Sequence, residues 1–162
     1  MSTITLTQDR PALRTPAGPH TRSGLSLDLP ARLLDEAFGR GRVVRFEDLD
    51  FPPALGHGPT RRFLREVGLP EEAAGFRLDL DAPLRTLAEY AADEFPAPCA
   101  LPSGPHRLIR LARLTHDTSA VLVAATGEVL RWHERDALLT ALEPDVSSLA
   151  FSLWRSARVV LL

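Results

Sequence analysis

The sequence predicts a single α+β domain: helices and short strands first, then an antiparallel meander, then a closing C-terminal helix. Three observations predict it. Ala120 to Ala124 is an uninterrupted apolar run, as expected of a central strand covered on both faces. Thr126-Gly127 and Glu128 to Trp132 then read as a tight turn and a return strand. Behind Asp145, a good N-cap, the residues Val146, Leu149, Ala150, Leu153, Trp154 and Ala157 recur at helical spacing.

The remaining elements follow in chain order. Residues 1–28 are punctuated by Pro11, Pro16, Gly18, Pro19 and Gly24, which suit neither a helix nor a central strand. They read as an extended arm with one short strand at Ile4 to Thr7, ahead of a domain over residues 29–162. Pro30 opens a helix carrying Leu33, Leu34, Ala37 and Phe38, with Gly39 as its stop. Val43 to Phe46 reads as a strand broken by Asp50-Phe51-Pro52-Pro53. Gly58-Pro59-Thr60 opens a second helix with Phe63, Leu64 and Val67 inward and Arg61, Arg62 and Arg65 wet; Gly68-Leu69-Pro70 ends it. Phe76 to Leu80 alternates apolar and polar like a half-buried strand. Leu84 to Ala92 reads as a helix, Leu108 to Leu114 as a strand, and Asp136 to Leu142 as an edge strand. Val121, Leu122, Val123, Leu149, Leu153 and Trp154 are expected to share one core.

The chain has 162 residues, 44% of them hydrophobic, enough to bury one ordinary core. The net charge of −2 lacks the basic excess of a general nucleic-acid binder. All 19 basic side chains are arginine. Codon usage of a GC-rich genome accounts for this; selection of arginine for bidentate pairing is the alternative. The single cysteine, Cys99, lies in a proline-rich connection and rules out an internal disulfide. No stretch approaches the ~20 apolar residues of a membrane span, and residues 1–13 carry no signal-like apolar run. The expectation is a cytoplasmic protein without membrane or nucleic-acid partners.

Chemistry-bearing motifs are missing. The histidines His20, His57, His106, His116 and His133 form no spaced pair with one another or with Cys99, as a zinc site would need. GxGxxG, GxxxxGK[ST] and GxSxG are absent, as is any HxE…PCxxC deaminase signature. The expectation is no metal, no cofactor and no catalytic residue. Asp79 and Asp81, two apart, would share the solvent face of one strand, and Glu89 and Asp93 are one helical turn apart, with Glu94 beside them. These five carboxylates are either a solvated surface or an acidic patch for a basic partner. A ligand pocket near Arg110 and His116 is the alternative site.

Five segments stand out in series: His57-Gly58-Pro59-Thr60-Arg61-Arg62-Phe63-Leu64, Glu66-Val67-Gly68-Leu69-Pro70, Leu84-Arg85-Thr86-Leu87-Ala88-Glu89-Tyr90, the turn Ala125-Thr126-Gly127-Glu128-Val129 with Trp132, and Asp145-Val146-Ser147-Ser148-Leu149-Ala150-Phe151-Ser152-Leu153-Trp154. Together they resemble the fourth immunity family of the SUKH superfamily. The similarity runs from about Leu29 to Trp154. It implies a central, mostly antiparallel sheet flanked by helices. It also implies a role in bacterial polymorphic toxin systems: binding a cognate toxin, often a nuclease or deaminase. The shared residues look fold-maintaining, and the resemblance carries over no toxin-contacting residue. A regulatory scaffold and a small enzyme or ligand-binding domain are the other readings.

Overall fold

The computed structural model describes residues 21–80, 83–95 and 100–160. The Ile4 to Thr7 strand, Asp81 and Cys99 lie outside them.

Helix α1 (Ala31–Phe38) starts after Pro30, which is its N-cap, and stops at Gly39 with φ 95°. Strand β1 (Val43–Val44) follows, shorter than the Val43 to Phe46 expected. Beyond it, Phe46 N–H donates to the Leu64 carbonyl at 2.9 Å, so this stretch packs on a helix instead of a sheet. Helix α2 (Gly58–Glu66) buries Thr60, Phe63 and Leu64. Leu69–Pro70, expected only to end that helix, also forms strand β2, antiparallel to β1. Gly68 makes the reversal possible. Its φ is +80°, and a Cβ there would lie 2.1 Å from the Val44 carbonyl oxygen.

Among the described residues the main sheet has seven strands: β3 (Glu72–Ala73), β4 (Phe76–Leu78), β5 (Arg85–Thr86), β6 (Leu108–Arg113), β7 (Thr118–Val123), β8 (Val129–His133) and β9 (Leu138–Glu143). The order is β3-β4-β6-β7-β8-β9, with β5 also pairing β6, and every pairing is antiparallel. The expected central strand is therefore inside the sheet and the expected edge strand, β9, is at its edge. Helix α3 (Leu87–Glu94) begins three residues later than the pattern suggested. Arg85 and Thr86 are drawn into β5, and the Thr86 hydroxyl caps the helix by accepting from Glu89 N–H at 3.2 Å. Helix α4 (Val146–Val160) closes the chain.

The single core expected from the sequence is divided by the sheet. Ile109, Leu111, Ala120, Leu122 and Val129 face α1, α2 and α4, packing with Leu34, Leu64, Leu149 and Leu153, and Trp154 lies half-buried against them. Leu108, Val121 and Trp132 face the other way, packing with Leu87 and Tyr90 of α3, and Val123 joins that side. Alternation along β7 is the cause: Val121 and Leu122 are neighbours in sequence and must point to opposite faces.

Within the expected arm, residues 21–28 are docked. Leu25 is buried in the larger core. Ser26 donates twice to Asp145 Oδ2, from N–H at 2.7 Å and Oγ at 2.8 Å, and Leu27 N–H donates to Ser147 Oγ. Asp145 Oδ1 accepts from Ser147 N–H, Ser147 Oγ and Ser148 N–H, so one carboxylate caps α4 and holds this segment.

Candidate protein-interaction face

Helix α3 and the β4–β5 connection form one face. Both β4 and β5 pair with the same edge of β6, Leu78 opposite Ala112 and Arg85 opposite Arg110, with a register shift in β6 between Arg110 and Ala112. Asp79 lies just past the end of β4, not on the strand face where alternation placed it.

Arg110 is the unusual residue of this face. Its side chain is 2% exposed in a strand otherwise apolar to Ala112. Its Nε donates to Ser119 Oγ at 3.3 Å, and Nη1 meets Asp79 Oδ2 as an ionic contact without hydrogen-bond geometry. Its guanidinium carbon lies 4.1 Å from the centroid of the Tyr90 ring, and that of Arg85 lies 5.1 Å from the same centroid. Burial, reinforced by the charge of Arg113, pushes the Arg110 guanidinium down to about 10, still charged at neutral pH. Burial and then the Glu134 carboxylate raise the Tyr90 phenol above its ordinary value, leaving it neutral.

Of the five acidic residues singled out in the sequence, the structure brings four to this face. Asp79 meets Arg110. Asp93 and Glu94 both pair with Arg85, at 3.1 and 3.4 Å, and stay more than half exposed. Glu89 is exposed in the first turn of α3, a favourable place for negative charge. The patch is thus carboxylates gathered about Arg85, with Arg110 buried beneath Asp79. Sequence reasoning did not pick out Arg85 and Tyr90 as site residues. The available signal was the position of Arg110: an arginine between Ile109 and Leu111 in a core strand needs a counter-charge and a flat apolar surface nearby.

Arg110 and His116 do not share a pocket. The depression at Arg110, with Asp79, Pro83, Arg85 and Tyr90, holds about 10 Å³, room for one water at most. His116 lies at a different depression of about 420 Å³, with His133, Glu134 and Asp136. Among the described residues no three His, Cys, Asp or Glu side chains gather as a metal site would require, and no helix is long and apolar enough to cross a membrane.

The histidine motif has a local explanation. His57 Nδ1 and Thr60 Oγ1 are 2.7 Å apart, and Gly56 and His57 N–H both donate to the Ala124 carbonyl at 3.3 Å. The pair closes over Gly127 of the β7–β8 turn, where a Cβ would lie 2.3 Å from Thr60 Oγ1. These residues clamp α2 to the sheet.

The family model described as SUKH-4 immunity protein matches residues 29–161. The chain belongs to this family. The match spans α1 through α4, and the α+β architecture with its mostly antiparallel sheet and closing helix is as the resemblance implied. No curated protein and no solved structure matches the chain significantly. In this SUKH-4 member the His57–Thr60 clamp, the Gly68 reversal and the Asp145 cap all serve the fold.

Proposed function

We propose that this protein neutralises a cognate bacterial toxin, a nuclease or deaminase, by binding it in the cytoplasm, with no catalytic step, metal or cofactor of its own. Family membership over residues 29–161 carries this reading. The arrangement of Arg110 supports it over the enzymatic alternative. That group's contacts are with Asp79, Tyr90 and Ser119, and it lines a space too small for a substrate.

We assign toxin contact to the α3 face, with Asp79, Asp81, Glu89, Asp93 and Glu94 as its charged residues. A nuclease groove is lined by cations placed for phosphates. An acidic surface entering it would speed encounter and exclude substrate. Arg85 and Arg110 hold three of the carboxylates in place, which lowers the entropy lost on binding. The test is co-expression with the toxin encoded beside this gene. Protection by the wild type, and weakened protection when the acidic residues are reversed, supports the assignment. Protection unaltered by replacement of all five removes this face and makes the arginine-bearing helix from Thr60 to Val67 the next candidate.

A further inference from the structure

The two edges of the main sheet are treated differently. β3, at one edge, has two residues, Glu72 and Ala73, too short to template another strand. β9, at the other, has six, and from Leu138 to Leu142 they carry neither charge nor proline. Its one ionised residue, Glu143, is at the C-terminal end and accepts from Ser152 Oγ at 2.7 Å. Folded proteins normally protect such an edge with lysine, proline, an inward charge or a bulge; β9 has only the last, an extra residue at Leu142 between the Leu130–Ala141 and Val129–Glu143 pairs, which leaves Leu138 to Ala141 as regular strand. Leu139 and Leu142 lean on the two cores, but Thr140 and Ala141, which point to opposite faces of the sheet, are both exposed, so among the described residues the middle of the strand is covered on neither face. Leu138 is 52% exposed beside them.

The order of side chains says what fits there. Two antiparallel copies of β9 about a two-fold axis at Thr140 set Thr140 against Thr140 and Leu139 against Ala141 within the regular stretch, and bring Leu138 to the bulged Leu142 at each end. Hydroxyl meets hydroxyl, aliphatic meets aliphatic, and no like charges oppose. The adjacent symmetric registers are worse. Centring on Ala141 sets Leu139 against Glu143 and Leu138 against Pro144, which has no N–H to give. Centring on Leu139 sets Leu142 against Asp136.

We propose that the β9 edge is a self-association surface: two copies of this chain pair β9 to β9 antiparallel about Thr140 and continue the sheet through the dimer. A single strand pair is at the small end of interface sizes, so the dimer is reversible and concentration-dependent. The pairing leaves the charged side of α3 free, since α3 runs along β5 and β6 and reaches across the sheet only through Tyr90, which packs on Trp132 of β8, short of the outer edge of β9. Self-association and toxin binding are therefore separate properties, and either can fail without the other.

Sedimentation velocity over a concentration series, with disulfide trapping at two positions, tests the proposal. Both trapping variants are made in a Cys99→Ser background of the full chain. Thr140→Cys places the two thiols directly opposite, within disulfide reach. Leu138→Cys places them four residues out of step, roughly 13 Å apart, and beyond reach. The expected results are a concentration-dependent dimer, efficient cross-linking of Thr140→Cys but not Leu138→Cys, and loss of the dimer in Thr140→Lys, where two ammonium groups would oppose. A chain that stays monomeric at every concentration, or one that dimerises only after residues 1–20 are removed, overturns the proposal. So does equal cross-linking at both positions, or a dimer unaffected by Thr140→Lys.

Discussion

The guanidinium of Arg110 lies over the ring of Tyr90, 4.1 Å from its centroid, and joins the middle of the sheet to helix α3. The relationship is asymmetric in energy. Removing the buried charge and filling its space removes a desolvation cost along with the contact, whereas removing its counter-ion leaves the charge behind. Arg110→Met should therefore stay within about 1 kcal/mol of wild type in urea unfolding. Asp79→Asn should cost about 1–3 kcal/mol, moderated because Asp79 is partly exposed. Equal losses from the two variants would contradict the arrangement.

Asp145 is the second point where distant segments meet. Burial acts to raise its pKa, but hydrogen bonds from Ser147, Ser26 and Ser148 outweigh it and hold the carboxyl below its ordinary 3.8. A folded-state pKa below the unfolded one means that its stabilisation is present above 3.8 and is lost as pH falls through the folded value. Asp145→Ala should cost about 1–3 kcal/mol near neutral pH. The difference from wild type should shrink in acid-unfolding curves as the carboxyl protonates. Because Ser26 is one of its partners, the same substitution should cost less in a chain lacking residues 1–28, as a double-mutant cycle would read.

Two glycines are fixed by geometry. At Gly68 a methyl group would meet the Val44 carbonyl while the backbone sits at φ +80°. Gly68→Ala should destabilise by at least about 3 kcal/mol, since neither the peptide nor the left-handed backbone yields cheaply. Gly127→Ala, at φ +78°, would push on Thr60 and His57, whose side chains can turn, so its cost should be smaller. Thermal unfolding of the two variants gives the order directly.

Charge reversal on the α3 face should act on association more than on stability. Glu89→Arg with Asp93→Arg should slow binding to a basic toxin and weaken its response to salt, leaving the melting temperature little changed. Stopped-flow association at two ionic strengths separates this from a packing defect, which would appear mainly as faster dissociation.

Much of the fold was legible because its signals are local. The apolar run of β7, the stripe of α4 and the Asp145 cap each lie within a few residues, and each sits where the pattern placed it. What escaped was settled by contacts remote in sequence. Strands β1 and β2 have two residues each and show no periodicity. Helix α3 lost its first turn because β6 recruits Arg85 and Thr86. The acidic residues were visible one by one. Their arginine partners were not, since Asp79 and Arg110 meet only after β4 and β6 have paired.

Toxin neutralisation is tested most directly by titrating the purified protein into the toxin encoded beside it, following complex formation and toxin activity together. The expected result is tight binding, on the order of nanomolar or stronger like other specific inhibitors, with toxin activity lost in proportion to the complex formed. A protein that binds no toxin from its own locus, and instead turns over a substrate by itself, would contradict it.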